Sequence, residues 1–130
     1  MTAQGEDILA WLVAAISRRE EAARHAARPY GPRWVRPVDT DMVRVSEDGI
    51  WFQALSHEIA EHVVYNSPEV VLRRCAADRK ILELHGGRGH SCPGIDADGD
   101  LDEYARFYNH EACDTIRALA EGYGWTEGER

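Results

Sequence analysis

The chain carries one lysine, Lys80, and no run of basic side chains along its 130 residues. Sequence-independent nucleic-acid binding needs a basic stripe to neutralise phosphates, so that class of function is disfavoured. The almost exclusive use of arginine reads as the codon bias of a GC-rich genome. No stretch approaches the roughly 18 consecutive apolar residues of a membrane-spanning helix. The opening MTAQGEDIL puts acid, not base, ahead of the first apolar stretch, so a secretory leader is not expected and a cytoplasmic location is. Cysteine is scarce and odd in number, three in all, which argues against a disulfide framework and fits a reducing compartment. Common catalytic signatures are missing as well. There is no GxSxG elbow, no phosphate-cradling glycine loop after a strand and no dinucleotide fingerprint, and the GGRG beginning at Gly86 follows a helical segment instead.

What remains is 44% hydrophobic and 29% charged, enough for one globular domain with a modest core. The net charge of -8 is unevenly placed. From Ser91 onward ten acids face only Arg106, Arg117 and Arg130, whereas the first ninety residues are nearly balanced. Such an acidic third suits either plain solvation or a basic protein partner.

Hydrophobic spacing predicts a first helix over Glu6 to Ala27, with Ile8, Leu12, Ala15 and Ile16 on its apolar face and Trp11 and Val13 widening it. Pro29 and the segment PYGPRWVRP stop that helix, and Trp34 there is expected to pack back on the core. Met42 to Val45, a turn at Glu47-Asp48-Gly49, and Ile50 to Phe52 read as a hairpin that leans on a helix. A second helix is expected over Leu55 to Val64. Ser67 as cap, Pro68 at the first helical position and Gly86-Gly87 as terminator mark a third. Cys75 falls in its apolar stripe and reads as a buried small hydrophobe. The stretch GGRGHSCPGIDADGD reads as a loop, and Leu101 to Tyr123 as a last helical region broken near Asn109-His110. The tail from residue 124 is expected to fray. These elements define an α+β fold, mostly α, with three to four helices and one small β-hairpin in a single domain over residues 1–130.

Five soft metal-ligand side chains gather between His85 and Cys113: His85, His90, Cys92, His110 and Cys113. Imidazole nitrogen and thiolate sulfur are what a tetrahedral Zn²⁺ site takes, and glycines let the loop holding His90 and Cys92 turn back. The spacing is irregular and has no CxxC knuckle, so a capping histidine, a buried thiol and exposed histidines form the competing reading. His57 and His62 fall at the far end of a third helix about 26 Å long at about 1.5 Å per residue, which removes them from the set. The string HEIAEH misses the HExxH protease pattern because its second histidine lies at i+5. The acidic run Asp96 to Glu103 misses the calcium-loop pattern, with Leu101 and Phe107 where glycine and glutamate belong. Asp100 or Asp102 is expected to serve the N-terminus of the following helix.

Two blocks carry a resemblance. His62-Val-Val-Tyr-Asn-Ser-Pro68 followed by EVVLRRCAADRKILELH is one, and Cys113-Asp-Thr-Ile-Arg117 continuing to Tyr123 is the other. Together with the DILAWL helix they make the chain similar to a family of small uncharacterised actinobacterial and actinophage proteins. That family shows a HxxxHDP-type motif, a charged helix ending in histidine, a cysteine-bearing loop and a closing Cys-x-Thr-Leu-Arg helix. Asn66 and Ser67 replace the motif's second histidine and aspartate here, and His90 with Cys92 stands where the loop often has two cysteines. The resemblance implies an actinobacterial or phage source and no particular activity.

The residues thus lead to a domain stapled by a structural zinc on His85, His90, Cys92 and Cys113, with His110 in reserve. The expected role is that of a non-enzymatic accessory or regulatory protein that binds another protein. A metal- or thiol-dependent, hydrolase-like enzyme using the same cluster is the alternative. A nucleic-acid-binding zinc module is disfavoured by charge.

Overall fold

Alanine-rich composition and an apolar residue at every third or fourth position give the longest element, α1, Thr2–Ala27. The computed structural model describes residues 2–46 and 48–126, and side chains from residue 7 onward. Ile8, Leu12, Ala15, Ile16 and Ala23 are buried along α1. Val13, expected to widen that face, is 44% exposed and lies off it. The helix ends where Gly31 adopts φ +105° and its N–H donates to Ala27 O at 2.7 Å. Left-handed backbone of this kind favours glycine because a Cβ there is strained.

The chain forms two compact units, Arg18–Ala76 and Met1–Ser17 with Ala77–Arg130. In Arg18–Ala76 the expected hairpin is present as β1, Met42–Arg44, and β2, Trp51–Gln53, antiparallel with Val43 opposite Phe52. Val35 bridges to Arg44 on the other edge of β1. Glu47 of the expected turn lies outside the described residues, and Gly49 beside it has φ +86°. Helix α2, His57–Tyr65, begins after the cap Ser56, whose Oγ accepts the Ile59 N–H at 3.2 Å. It therefore starts two residues later than its apolar pattern, because Leu55 is 94% exposed and faces no core. Val43, Val45 and Ala60 form the core of this unit, with Trp34, Ala54, Val63 and Val64 packed against it. The hairpin thus leans on α2, and Trp34 packs inward as its size demands. Its Nε1–H is buried without an acceptor.

Helix α3, Pro68–His85, has the predicted limits. Cys75 on it is 1% exposed, a small apolar filler.

In the other unit the reading from Gly86 onward is corrected. Residues expected as loop form β3, His90–Ile95, and residues expected as helix form β4, Leu101–Phe107. The two strands pair antiparallel from His90 opposite Phe107 to Ile95 opposite Leu101. Asp98-Gly99 supplies the turn, with Gly99 at φ +84° and the Asp96 carboxylate accepting the N–H groups of Asp98 and Asp100 at 2.9 and 3.0 Å. Leu101, Tyr104, Ala105 and Tyr108 satisfied a helical template, yet Leu101, Tyr104 and Tyr108 are 62%, 80% and 64% exposed. Pairing with β3 outweighs that local spacing, since a helix here would leave β3 without a partner. The last helix, α4, is correspondingly short, Asp114–Gly122, and packs on β3. Asp100 and Asp102 therefore serve the hairpin, and Asp114 is the acid in the first turn of α4. The tail does not fray at once: Trp125 is 5% exposed and donates its N–H to Ala120 O at 3.0 Å. Residues 127–130 lie outside the described residues. No helix among the described residues is long and apolar enough to cross a membrane.

Candidate metal centre

Three turns of chain bring the soft ligands together. His85 is the last residue of α3, where the following Gly86 and Gly87 end the helix, Gly87 at φ +80°. His90 opens β3 and Cys92 lies two residues on, just before a register shift at Pro93 between Cys92 and Gly94. Proline has no N–H for the ladder, which suits it to that irregular position. Cys113 is the residue before α4, extended at φ -75° and ψ 171°. Two hydrogen bonds clamp the α3–β3 turn to the β4–α4 junction. His110 N–H donates to Gly87 O at 3.0 Å, and Gly89 N–H donates to Asn109 Oδ1 at 2.7 Å. A third tie runs from Ile95 N–H to Asp114 Oδ2 at 2.6 Å, fixing α4 against β3.

The result is a tight cluster. One ligand atom from each of His85, His90, Cys92 and Cys113 lies within 4.8 Å of every other, an arrangement able to hold a metal ion. His85 Nδ1 is 3.2 Å from His90 Nε2, Cys92 Sγ is 3.3 Å from His90 Nε2, and Cys113 Sγ is 3.6 Å from His85 Nδ1. Both sulfurs are buried, Cys92 at 7% and Cys113 at 0% exposure, and none of the three cysteines forms a disulfide. His90 Nδ1 sits 2.7 Å from Arg88 O. Donating to that carbonyl fixes the tautomer and leaves Nε2 with its lone pair toward the cluster, the usual outer support of a ligating histidine. Phe107 stacks on the His90 ring at 5.9 Å and 29°.

Without an ion, burial disfavours charge on two members of the cluster. Burial first, and then the His90 ring, hold His85 below its ordinary value of 6.5. Burial first, then Cys113 and Asp114, push the Cys92 thiol up to about 11. Thiols are weak hydrogen-bond donors, and two imidazole nitrogens 3.2 Å apart need a proton or a cation between their lone pairs.

All four residues expected as ligands are thus brought together. His110, the reserve, is not one of the four; it is exposed, has φ +70°, and contributes its backbone N–H to the clamp. Cys75 is outside the group, as are His57 and His62, which are exposed on α2. The Asp96–Glu103 carboxylates form no comparable group among the described residues. Sequence reasoning missed Asn109, Phe107 and Asp114 as supports. Asn109 was marked only as a helix break, and nothing local distinguishes Phe107.

Fold and cluster together define a small α+β protein with a His₂Cys₂ donor set. A family model described as a family of unknown function, DUF6221, matches residues 5–124, and the chain belongs to that family. No curated protein and no solved structure matches it.

Proposed function

We propose that the protein is a non-enzymatic accessory or regulatory protein that binds another protein, with a structural Zn²⁺ held by His85, His90, Cys92 and Cys113. One observation carries the metal assignment. Zn–N bonds of about 2.0–2.1 Å and Zn–S bonds of about 2.3 Å at tetrahedral angles separate donors by about 3.4 Å (N to N) and about 3.6 Å (N to S). Three of the donor separations, 3.2, 3.3 and 3.6 Å, are close to those values, and all four atoms lie within 4.8 Å of one another. Two imidazoles and two thiolates also suit zinc over the hard, oxygen-seeking cations. Four protein ligands close the coordination shell, which marks a structural rather than a catalytic site. That closed shell, which would also occupy both thiols, favours this reading over a thiol- or metal-dependent enzyme.

The protein-binding role rests on Ile95, Leu101, Tyr104 and Tyr108 of the β3–β4 hairpin and its flank, 60–80% exposed beside the carboxylates of the turn. An apolar patch rimmed by charge is a common recognition surface. Three cysteines without a disulfide are typical of a reducing compartment, which supports a cytoplasmic location, and the arginine bias supports an actinobacterial or phage source. The test has two arms. Elemental analysis of purified protein should give one zinc per chain, and its absence removes the staple. A pull-down from an actinobacterial lysate should recover a partner with the native chain and lose it with Tyr104→Asp while zinc content stays constant. Equal recovery by both refutes the assigned surface.

A further inference from the structure

Apart from the donor cluster, the unit Arg18–Ala76 contains a cleft of about 860 Å³ walled by the segment after α1 and by the β1 end of the first hairpin. That volume lies within the about 300–1,000 Å³ usual for small-molecule sites. Three arginines, Arg28, Arg33 and Arg44, line it, and Asp48 is the one acidic residue among the described lining residues. The C-terminus of α1 adds about half a negative charge and Glu69 offsets Arg33, which leaves a small positive excess in a chain of net charge -8.

Ordinary structural duties do not account for the three arginines. Arg24 and His25 already occupy the last turn of α1, where basic groups meet the helix dipole. Arg33 Nε meets Glu69 Oε2 at 3.3 Å, but that pair is 74% and 40% exposed and commits one of five N–H donors. The backbone carrying them is held firmly. Gly31 N–H donates to Ala27 O, Glu69 N–H to Pro32 O at 3.0 Å, and Val35 and Arg44 exchange both backbone hydrogen bonds at 2.7 and 2.9 Å. Pro29 and Pro32 fix φ in the same segment. A fixed backbone of this kind confines the ordering cost of binding to the arginine side chains themselves. Guanidinium forks match phosphate oxygens, and Tyr30, 54% exposed in the same lining, offers a ring face beside them.

We propose that this cleft binds a small ligand carrying at least two linked phosphates. The assignment does not depend on the zinc reading, since none of its residues belongs to the donor cluster. Isothermal titration of the full chain with sodium pyrophosphate and with ADP tests it. Saturable 1:1 binding is expected, with at least a tenfold loss in Arg28→Gln and in Arg44→Gln. Arg28 is exposed, so its variant keeps the test valid if Arg44→Gln unfolds, and circular dichroism checks both. Tighter ADP binding that Tyr30→Ala reduces to the pyrophosphate level identifies a nucleotide, and equal affinities identify the phosphates alone; both support the site. Absence of saturable heat with either compound at millimolar concentration overturns the proposal, and so does unchanged affinity in a folded Arg28→Gln protein.

Discussion

Removing the metal should cost this protein a large part of its stability, and the size can be worked out. With both thiolates and both imidazoles bound, the proposed zinc would favour the folded state by mass action. Free zinc at a thousand times its dissociation constant adds about 4 kcal/mol. Domains of ordinary size have about 5–15 kcal/mol in all, so that share is substantial. For a chain of 130 residues, 1 kcal/mol moves the melting temperature by about 3–5 °C, which places the drop on chelation at about 12–20 °C. Scanning calorimetry of protein as purified and after dialysis against EDTA reads it directly. Two variants separate coordination from packing. Cys75→Ser puts a hydroxyl at a position 1% exposed, costing about 1–3 kcal/mol, but keeps the full EDTA-induced drop. Cys113→Ser removes a ligand and abolishes that drop. Co²⁺ added to the metal-free chain should give the intense visible absorption of a tetrahedral site in the first variant and not in the second. A native protein that melts at the same temperature with and without EDTA would refute the reasoning.

The pH response of the metal-free form has its own signature. The depressed His85 contributes stability that is present above its ordinary value of 6.5 and lost as pH falls below it. The raised Cys92 thiol contributes stability present below its ordinary value of 9.0 and lost as pH rises through about 11. Melting curves of the chelated protein should therefore decline on both sides, whereas the zinc form, its thiolates already bound, should decline only in acid as protons displace the metal. Gly86→Ala should destabilise by about 1–3 kcal/mol and weaken zinc binding, measured by competition with a colorimetric chelator. A Cβ there would lie 2.6 Å from Leu82 O, and relieving that clash moves the helix end carrying His85. Asp114→Ala should cost about 1–2 kcal/mol through loss of its hydrogen bond and its place at the α4 N-terminus, with zinc per chain unchanged. Faster amide exchange at Ile95, whose N–H it accepts at 2.6 Å, is the local readout.

Legibility in the sequence varied with the kind of information each element needed. The limits of α3 were readable because Pro68 and Gly86-Gly87 act locally, whatever the rest of the chain does. The first hairpin was readable from the Asp48-Gly49 pair and flanking β-branched and aromatic residues. The second hairpin was not, although Asp98-Gly99 between Ile95 and Leu101 is the same signal. Asp102, Glu103 and Ala105 fit a helix as well as a strand, and the decisive contact is with β3, twelve or more residues earlier at Cys92 and His90. The candidate ligands were legible from chemistry, because thiols and imidazoles gather in so short a span, although three imidazoles were on offer and two entered the cluster. His90 and not His110 lies in the cluster, for a reason the sequence states only weakly. His110 uses its backbone in the clamp at φ +70°, and His90 is the one whose ring is seated between Arg88 O and Phe107.

The span between Cys92 and Cys113 has a mechanical meaning. It contains the acidic turn, all of β4 and the Asn109-His110 junction. With both sulfurs on the proposed zinc, that stretch would be a closed ring and not a thread. An unfolding protease that reels in the chain from its C-terminal side would meet the ring at Cys113 and have to break metal–sulfur bonds to advance. Once the ion is gone, the same pull meets a two-stranded hairpin, among the weakest of folded elements under load. The lifetime of the protein would then follow the zinc supply of the cell, with no dedicated sensor needed.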